Sequence, residues 1–489
     1  MDPIGTITSY FPYIDEDTKN VLEKIMLEAT DYYDFVHRLV DLILNEESPI
    51  MVVYLAIHHS ILASDYKLID MIREKYGDIQ ILGPNLFISS AFQGSVEDVK
   101  KVHELADIIL ASEPEDWIAL EMNFMKFEAD MRNYPKTMYK TETIDNIRKL
   151  IDSNPDFEHY DIVLNDYMAM RAHTDGDTEE RIRCYNRGLE IAEKFNDKLR
   201  KTSILIKKAY LIKDRDRQES RSLLEEAYQI CDEVLGIPVY FSEVISILGV
   251  LDSIRGEYNS AIRRFLQAVS IRERAGLNTG NASANLSIMH NVISEPESGL
   301  EWAQMAEDQY KSRPYLINRA ILYQVWSLIL LKRTTEAQVL IDTSRKSILK
   351  SGDQSQLAWL HFVTGVLEFE QGEFSLALSS VEQALRIYES QGWGYHFQLI
   401  FLYHLALIEI NSINLEKDVS PSLAILEEKA LTEDLPGYIG QVLLLKAEIA
   451  IHRKDEADLR DIVQKLNPLT EKENLQYLKP SYEILLRKL

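Results

Sequence analysis

The sequence predicts an all-α fold, a right-handed α-solenoid of antiparallel helix pairs. Three observations carry this. The chain of 489 residues exceeds what one hydrophobic core usually serves. An array escapes that limit, because each unit buries its apolar face only against its neighbours. Only 14 prolines and 19 glycines punctuate the chain, which suits helices joined by short turns. Finally, one helix–turn–helix pattern returns along most of the sequence at near-constant spacing.

The pattern is plainest in the stretch from Ser242 to Gly276. A first helix runs to about Arg255 and stops at Gly256, since glycine takes the left-handed conformation without strain. Asn259 is placed to cap the second helix with its side-chain oxygen. Ala261, Phe265 and Ala268 then fall at i, i+4 and i+7, on one face of that helix. Small Gly249 and Ala261 let the two backbones approach. Gly249, Gly256, Tyr258, Ala261, Phe265 and Ala268 recur as Gly365, Gly372, Phe374, Ala377, Val381 and Ala384, each shifted by 116.

The place of Gly249 can be followed through Phe87, Glu121, Ala169, Ala209, Gly249, Ser287, Val325, Gly365, Ala406 and Ala447, at separations of 34 to 48 residues. Chance patterns do not keep phase over so many units. Small residues at Gly249, Ala261 and Ala268 with an aromatic at Phe265 resemble the tetratricopeptide repeat (TPR) pattern, in its long form of roughly 40 residues. Asp252 departs from it where tyrosine is usual, and Glu273 where proline is usual. The resemblance covers Asn85 to Leu489. It is to a group that includes bacterial peptide-sensing regulators and the sensor regions of some transcription activators.

Residues 1–82 read as a helical N-terminal cap of two hairpins, diverged from the repeat. An array needs such an end, or its first interface lies open to water. Val21, Leu22, Ile25, Met26 and Ala29 form one helical stripe, and Phe35, Val36, Leu39, Val40 and Ile43 the next. Ser48-Pro49 has the form of an N-cap followed by a first-turn proline, and Gly77 ends the last helix. Residues 83–489 form the repeat array, with three irregular places. In an unusually long unit near 113–157, Asn133-Tyr134-Pro135 ends one helix and Thr141 caps the next. Gly276 to Asn281 form a loop. An insertion at 414–422 is closed by Ser420-Pro421. Ser294-x-x-Glu297 has the form of a capping box.

The formal charge is −25, and residues 1–161 hold 31 acidic against 14 basic side chains. Such a surface repels phosphate backbones, so nucleic acid is not expected as a partner. The most apolar run, Phe397 to Ile410, is too short to span a bilayer, so no membrane partner is expected either. The N-terminal residues lack the pattern of a secretory signal, and a cytoplasmic protein is expected. Cys184 and Cys231 read as buried free thiols.

No phosphate-binding, nucleophile-elbow or zinc-protease motif occurs, and no cofactor or metal is expected. His58 and His59 are adjacent on one helix and point about 100° apart, a poor arrangement for sharing a metal. His361, Glu368, His396 and His404 come from neighbouring repeats and could converge, but they lack a fixed ligand spacing. The cations of the Lys198–Arg217 stretch, including Lys201, Lys207, Lys208, Arg215 and Arg217, are interleaved with Asp214 and Asp216, as on a solvated face.

The TPR resemblance implies a concave groove lined by set positions of each first helix. Counted from Val325, Gly365 and Ala406, these include Arg319, Leu322, Trp326 and Ile329; Trp359, Phe362, Val366 and Phe369; and Ile400, Tyr403, Leu407 and Ile410. The equivalent positions around Gly249 are the more polar Glu243, Ser246, Val250 and Ser253. The implied partner-binding groove is therefore Trp326, Trp359, Phe362, Val366, Phe369, Tyr403 and Arg319. A tight superhelix would instead pack these side chains against one another. Ile206, Tyr210, Ser246 and Val250 stand where the family's carboxylate-clamp Lys and Asn would be, which argues against that clamp. The expected function is a non-catalytic interaction scaffold binding a peptide or partner helix. The alternatives are a ligand- or peptide-responsive sensor acting through a separate output partner, and an enzyme using the histidine cluster.

Overall fold

The computed structural model describes the chain except residues 1–4, 10, 78, 80–81, 93–95, 133–140, 175, 312–313, 391–394 and 413–419. Among the described residues every regular element is helical and no strand occurs. The repeat phase holds. Each of the ten residues followed from Phe87 to Ala447 lies on the first helix of a hairpin, and all but Phe87 are buried. The first helices are Gly83–Phe92, Asp116–Arg132, Asp161–Thr174, Lys198–Ile212, Pro238–Ile254, Gly280–Val292, Pro314–Leu330, Gln354–Glu370, Tyr395–Ser412 and Pro436–Arg453. A second helix follows each, as Tyr258–Arg274 follows Pro238–Ile254 and Phe374–Ser390 follows Gln354–Glu370. The architecture is a run of antiparallel helical hairpins packed one after another.

Small residues sit where the paired helices approach. A Cβ on Gly249 would lie 2.9 Å from Phe265 Cε1, and one on Gly365 would lie 2.6 Å from Val381 Cγ2. Ala261 and Ala377 are fully buried. Gly256 takes φ +72° and Gly372 φ +80°, the left-handed turns that the sequence predicts.

The described chain falls into two compact units. The first comprises Met1–Leu211 with Ser222–Phe241, and the second Ile212–Arg221 with Ser242–Leu489. In the first unit, the helices Glu16–Glu28, Tyr32–Asn45, Ile50–Leu62 and Tyr66–Tyr76 precede the first repeats. The stripes Leu22, Ile25, Met26 and Phe35, Val36, Leu39, Val40, Ile43 are buried. Two caps differ from expectation. Pro49, not Ser48, is the N-cap of Ile50–Leu62, with no side-chain cap. Gly77 ends its helix at φ −62°, so the stop does not use glycine's conformational freedom.

The second unit closes on itself. The Gly437 N–H donates to the Arg255 carbonyl at 3.1 Å. A Cβ on Gly437 would stand 2.2 Å from the Gly256 carbonyl oxygen, so two glycines are required at this crossing. Tyr258, Tyr438 and Tyr477 cluster beside it, with ring centroids 6.3 and 5.1 Å from that of Tyr258. Asn259 does not cap its own helix, which starts one residue earlier at Tyr258 without a side-chain cap. Its Oδ1 instead accepts the Tyr477 N–H at 3.2 Å, tying the 258–274 helix to the far end of the unit. A loop of chain closed this way turns its first helices inward. No residue of Gln354–Glu370 is exposed, whereas Thr334–Ser351 and Phe374–Ser390 each keep an exposed side.

Several departures from the repeat pattern now have reasons. Asp252 replaces the usual tyrosine because it is a buried hub. It receives Arg221 Nη2 at 2.7 Å, Arg264 Nε at 2.7 Å and Ser260 Oγ at 2.8 Å. The Gly276–Asn281 loop is stapled: the Asn278 amide donates to the Gln309 carbonyl at 2.6 Å, and its carbonyl accepts from Arg272 Nε at 2.5 Å. The capping box at Ser294 does not form. Ser294 takes φ +65°, Glu295 is the N-cap, and the Glu295 carboxylate pairs with His290 instead. Ser420 caps Pro421–Thr432 as expected, and Glu409 joins it, accepting from Ser420 Oγ at 2.6 Å and Ser422 N at 3.0 Å. The Asn133-Tyr134-Pro135 break and residues 414–419 lie outside the described residues. Thr141 opens the helix Thr141–Ser153 at the edge of that gap.

Candidate functional site

Closure of the second unit decides where its aromatic residues go. Trp326, Trp359, Phe362 and Val366 are buried, with Trp326 1% and Trp359 2% exposed. Trp359 is the centre of the cluster, its rings 4.9 to 5.9 Å from those of Tyr323, Trp326, Phe362, Phe397 and Phe401. These side chains fill the space inside the closed unit and form its core. Phe369, Tyr403 and Arg319 are half-buried. Phe369 leans on Phe374 and on the cluster of Ala377, Val381, Leu405 and Ile408. Arg319 Nε donates to Tyr323 Oη at 2.7 Å. Burial pushes the Tyr403 phenol up to about 12. Of the seven groove positions, then, four are packed inside and three retain surface.

The histidines and acids of the same helices are engaged separately. His404 Nδ1 contacts the Ile400 carbonyl at 2.9 Å, and burial pushes its pKa down to about 4. Glu368 accepts from Ser380 Oγ at 2.7 Å. The side chain of His396 lies outside the described residues. Among the described residues no group of three His, Cys, Asp or Glu is placed to hold a metal ion. Several cations of the Lys198–Arg217 stretch are paired with acids. Lys201 meets Glu193 and Glu226 at 2.9 and 2.6 Å, Lys207 meets Asp166 at 2.5 Å, and Arg217 meets Glu433 at 3.0 Å. Cys184 and Cys231 are buried and free, and burial raises the Cys184 thiol to about 11.

The first unit holds what the sequence reading overlooked, a cavity of about 140 Å³ lined by both charged and apolar side chains. Its walls come from the helices Ile50–Leu62, Asp116–Arg132, Asp161–Thr174 and Lys198–Ile212. Glu121 lies at its base, 2% exposed, at the repeat position where the other hairpins carry small or apolar residues. Tyr160 Oη donates to Glu121 Oε1 at 2.7 Å and Tyr54 Oη to Oε2 at 3.3 Å. His58 Nδ1 stands 3.7 Å from the same carboxylate. Burial raises the Glu121 carboxyl, against the pull of the two tyrosines and Arg200. The same burial holds His58 well below the usual range and lowers His59 to about 3 and His159 to about 4.

Beside this cavity Gly5 and Thr6 are fastened down. Gly5 N donates to the Asn196 carbonyl at 3.0 Å, and Thr6 Oγ1 donates to Asp197. Asp197 in turn holds Arg200 Nη1 at 2.7 Å. The sequence signal for the cavity was present in Glu121, a charge in a packing register. It served only to keep the repeat count.

No family model matches the chain, and no curated protein does. Solved structures do. A Rap protein complexed with competence and sporulation factor is 13% identical over 67% of this chain and 96% of its own, with a TM-score of 0.46. NprR in complex with its cognate peptide NprX is 13% identical over 67% of this chain and 98% of its own, with a TM-score of 0.47. A signal-transduction ATPase with a tetratricopeptide repeat sensor, from Pyrococcus horikoshii, is 16% identical over 77% of this chain and 53% of its own, with a TM-score of 0.46. These are likenesses of helical-repeat architecture. Among the described residues no helix is long and apolar enough to cross a membrane.

Proposed function

We propose that the chain is a non-catalytic protein-interaction scaffold that binds a peptide or partner helix through its second unit. Arg319, Phe369 and Tyr403 are the contacts, and the buried Trp326, Trp359, Phe362 and Val366 are the rigid support behind them. One observation carries this reading: three groove positions keep surface over a packed aromatic core, and several nearby groups able to do acid–base chemistry are bound into the fold. Asp252, Glu368, Glu409 and His404 each hold a structural partner, while three groove positions keep surface. Stacked helical hairpins present extended surfaces of the kind that bind partners.

The test is a pair of variants on the full chain. Arg319→Ala with Tyr403→Ala should weaken a captured partner at least about tenfold, or about 1.4 kcal/mol. Both side chains are half-buried, so the melting temperature should fall by a few degrees while the chain stays folded. Unchanged affinity, with cross-links mapping to other helices, would contradict the reading. The cavity of the first unit favours a second reading, a ligand-responsive regulator with a separate output partner. Small-angle scattering with and without a bound ligand distinguishes a responsive chain from a static scaffold.

A further inference from the structure

The cavity of the first unit is lined by residues of three kinds. Its acids are Glu121, Glu128 and Asp166, and its permanent cations are Arg200 and Lys207. Phe124, Tyr160 and Tyr167 give it contiguous aromatic wall, with Phe124 5.8 Å from Tyr160 and 5.7 Å from Tyr167 between ring centroids. Each cation is already drawn to an acid: Arg200 Nη1 to Asp197 at 2.7 Å, and Lys207 Nζ to Asp166 at 2.5 Å. Asp166 Oδ1 is buried and accepts no hydrogen bond among the described residues. Glu121 and Glu128 are seven residues apart on Asp116–Arg132, so they project from the same face of that helix, about 10 Å apart along its axis.

A fold that needed only packing would not place glutamate at this repeat position. Glu121 accepts from Tyr160 and Tyr54, yet burial still raises its carboxyl, and a cation seated beside it offsets that remaining cost. Aromatic faces add attraction for a positive charge through the ring quadrupole. The volume is close to the roughly 150 Å³ of an engineered cavity that accepts benzene.

We propose that this cavity is a binding site for a small organic cation, a primary ammonium on an aromatic or compact apolar body. Glu121 and Glu128 take the ammonium, and Phe124, Tyr160 and Tyr167 enclose the body. Anions are disfavoured because the acids outnumber the cations in the lining and both cations are engaged. The inference stands apart from the scaffold reading of the second unit, which can fail without affecting it. A consequence follows from the raised Glu121 carboxyl: a cation stabilises its charged form, so binding releases protons in the range where that carboxyl is partly protonated.

Calorimetric titration of the full chain with benzylamine tests this, with benzyl alcohol and benzoate as isosteric neutral and anionic controls. Benzylamine should bind at least tenfold more tightly than either control. Its heat should differ between acetate and MES buffers at mildly acidic pH, because of the released proton. Glu128→Gln should weaken it at least tenfold, with helical content unchanged by circular dichroism. Should that variant not fold, Met170→Trp, at a half-buried lining position, fills the cavity and should abolish binding. Absence of binding at millimolar benzylamine would overturn the proposal. So would equal affinity for benzyl alcohol or benzoate, or undiminished binding by both folded variants.

Discussion

Replacing Trp359 with alanine removes the side chain at the centre of the second unit's aromatic core. A buried tryptophan withdraws roughly 150–250 Å² from water. At about 25 cal/mol per Å² this corresponds to about 4–6 kcal/mol. One term runs the other way: Trp359 Nε1 has no hydrogen-bond partner among the described residues. Truncation therefore breaks no hydrogen bond and relieves a buried donor, a gain of about 1 kcal/mol or more. The expected net loss is about 3–5 kcal/mol, within the range of large aromatic truncations in cores. For a unit of this size that is a fall in melting temperature of roughly 6–20 °C. Scanning calorimetry with parallel urea melts, followed by near-ultraviolet dichroism, gives the number. A loss below about 1 kcal/mol would mean the indole lies on a surface, and the inward-facing first helices would be wrong.

Three further outcomes follow. Ala377→Leu should cost about 1–3 kcal/mol, because the site is fully buried and a Cβ on nearby Gly365 would already crowd Val381; near-neutral melting would show the repeat phase to be displaced. Asp252→Ala should cost about 1.5–3 kcal/mol by releasing Arg221, Arg264 and Ser260, with the two arginines partly resolvated because each is about one-third exposed; a neutral outcome in urea melts would remove Asp252 as the hub. Acid should destabilise the first unit. His59 and His159 are held neutral in the fold, at about 3 and about 4, and take up protons when unfolded below about pH 6.5. Each therefore withdraws about 1.4 kcal/mol per pH unit as pH falls from there toward its folded value. Glu121, raised by burial, opposes them within its own titration range. Urea midpoints should fall between pH 7 and pH 5, and His159→Gln should flatten that slope; a midpoint independent of pH would contradict the buried neutral histidines.

Much of the fold was legible because it is written in local chemistry. Gly256 and Gly372 stop helices by positive φ, Ser420 caps with its own hydroxyl, and the small residues at Gly249 and Gly365 mark helix crossings. These need only neighbours in sequence or one paired helix. What sequence alone could not reach depends on residues far apart. Asn259 looks like a cap until Tyr477 takes its oxygen, and nothing local to Gly437 shows that Gly256 presses on it. The aromatic positions Trp326, Trp359 and Phe362 were identified as one cluster, but whether they face water depends on that distant closure. Glu121 was visible as a charge in a packing register. Its meaning required the facing helices that supply Tyr54, Tyr160 and Arg200.

The second unit closes between Gly256 and Gly437, and its first helices thereby form a core. Hydrogen exchange on the full chain and on Gly437→Ala tests it directly. In the parent, the amides of Gly437 and Tyr477 should be protected together with the 238–274 hairpin, because they donate to Arg255 and Asn259. In the variant, the added methyl must part the two backbones. Exchange should then rise jointly at 255–259, 435–438 and 473–478. A rise confined to 435–438, or none, would mean the array is open and its aromatic helices face a groove.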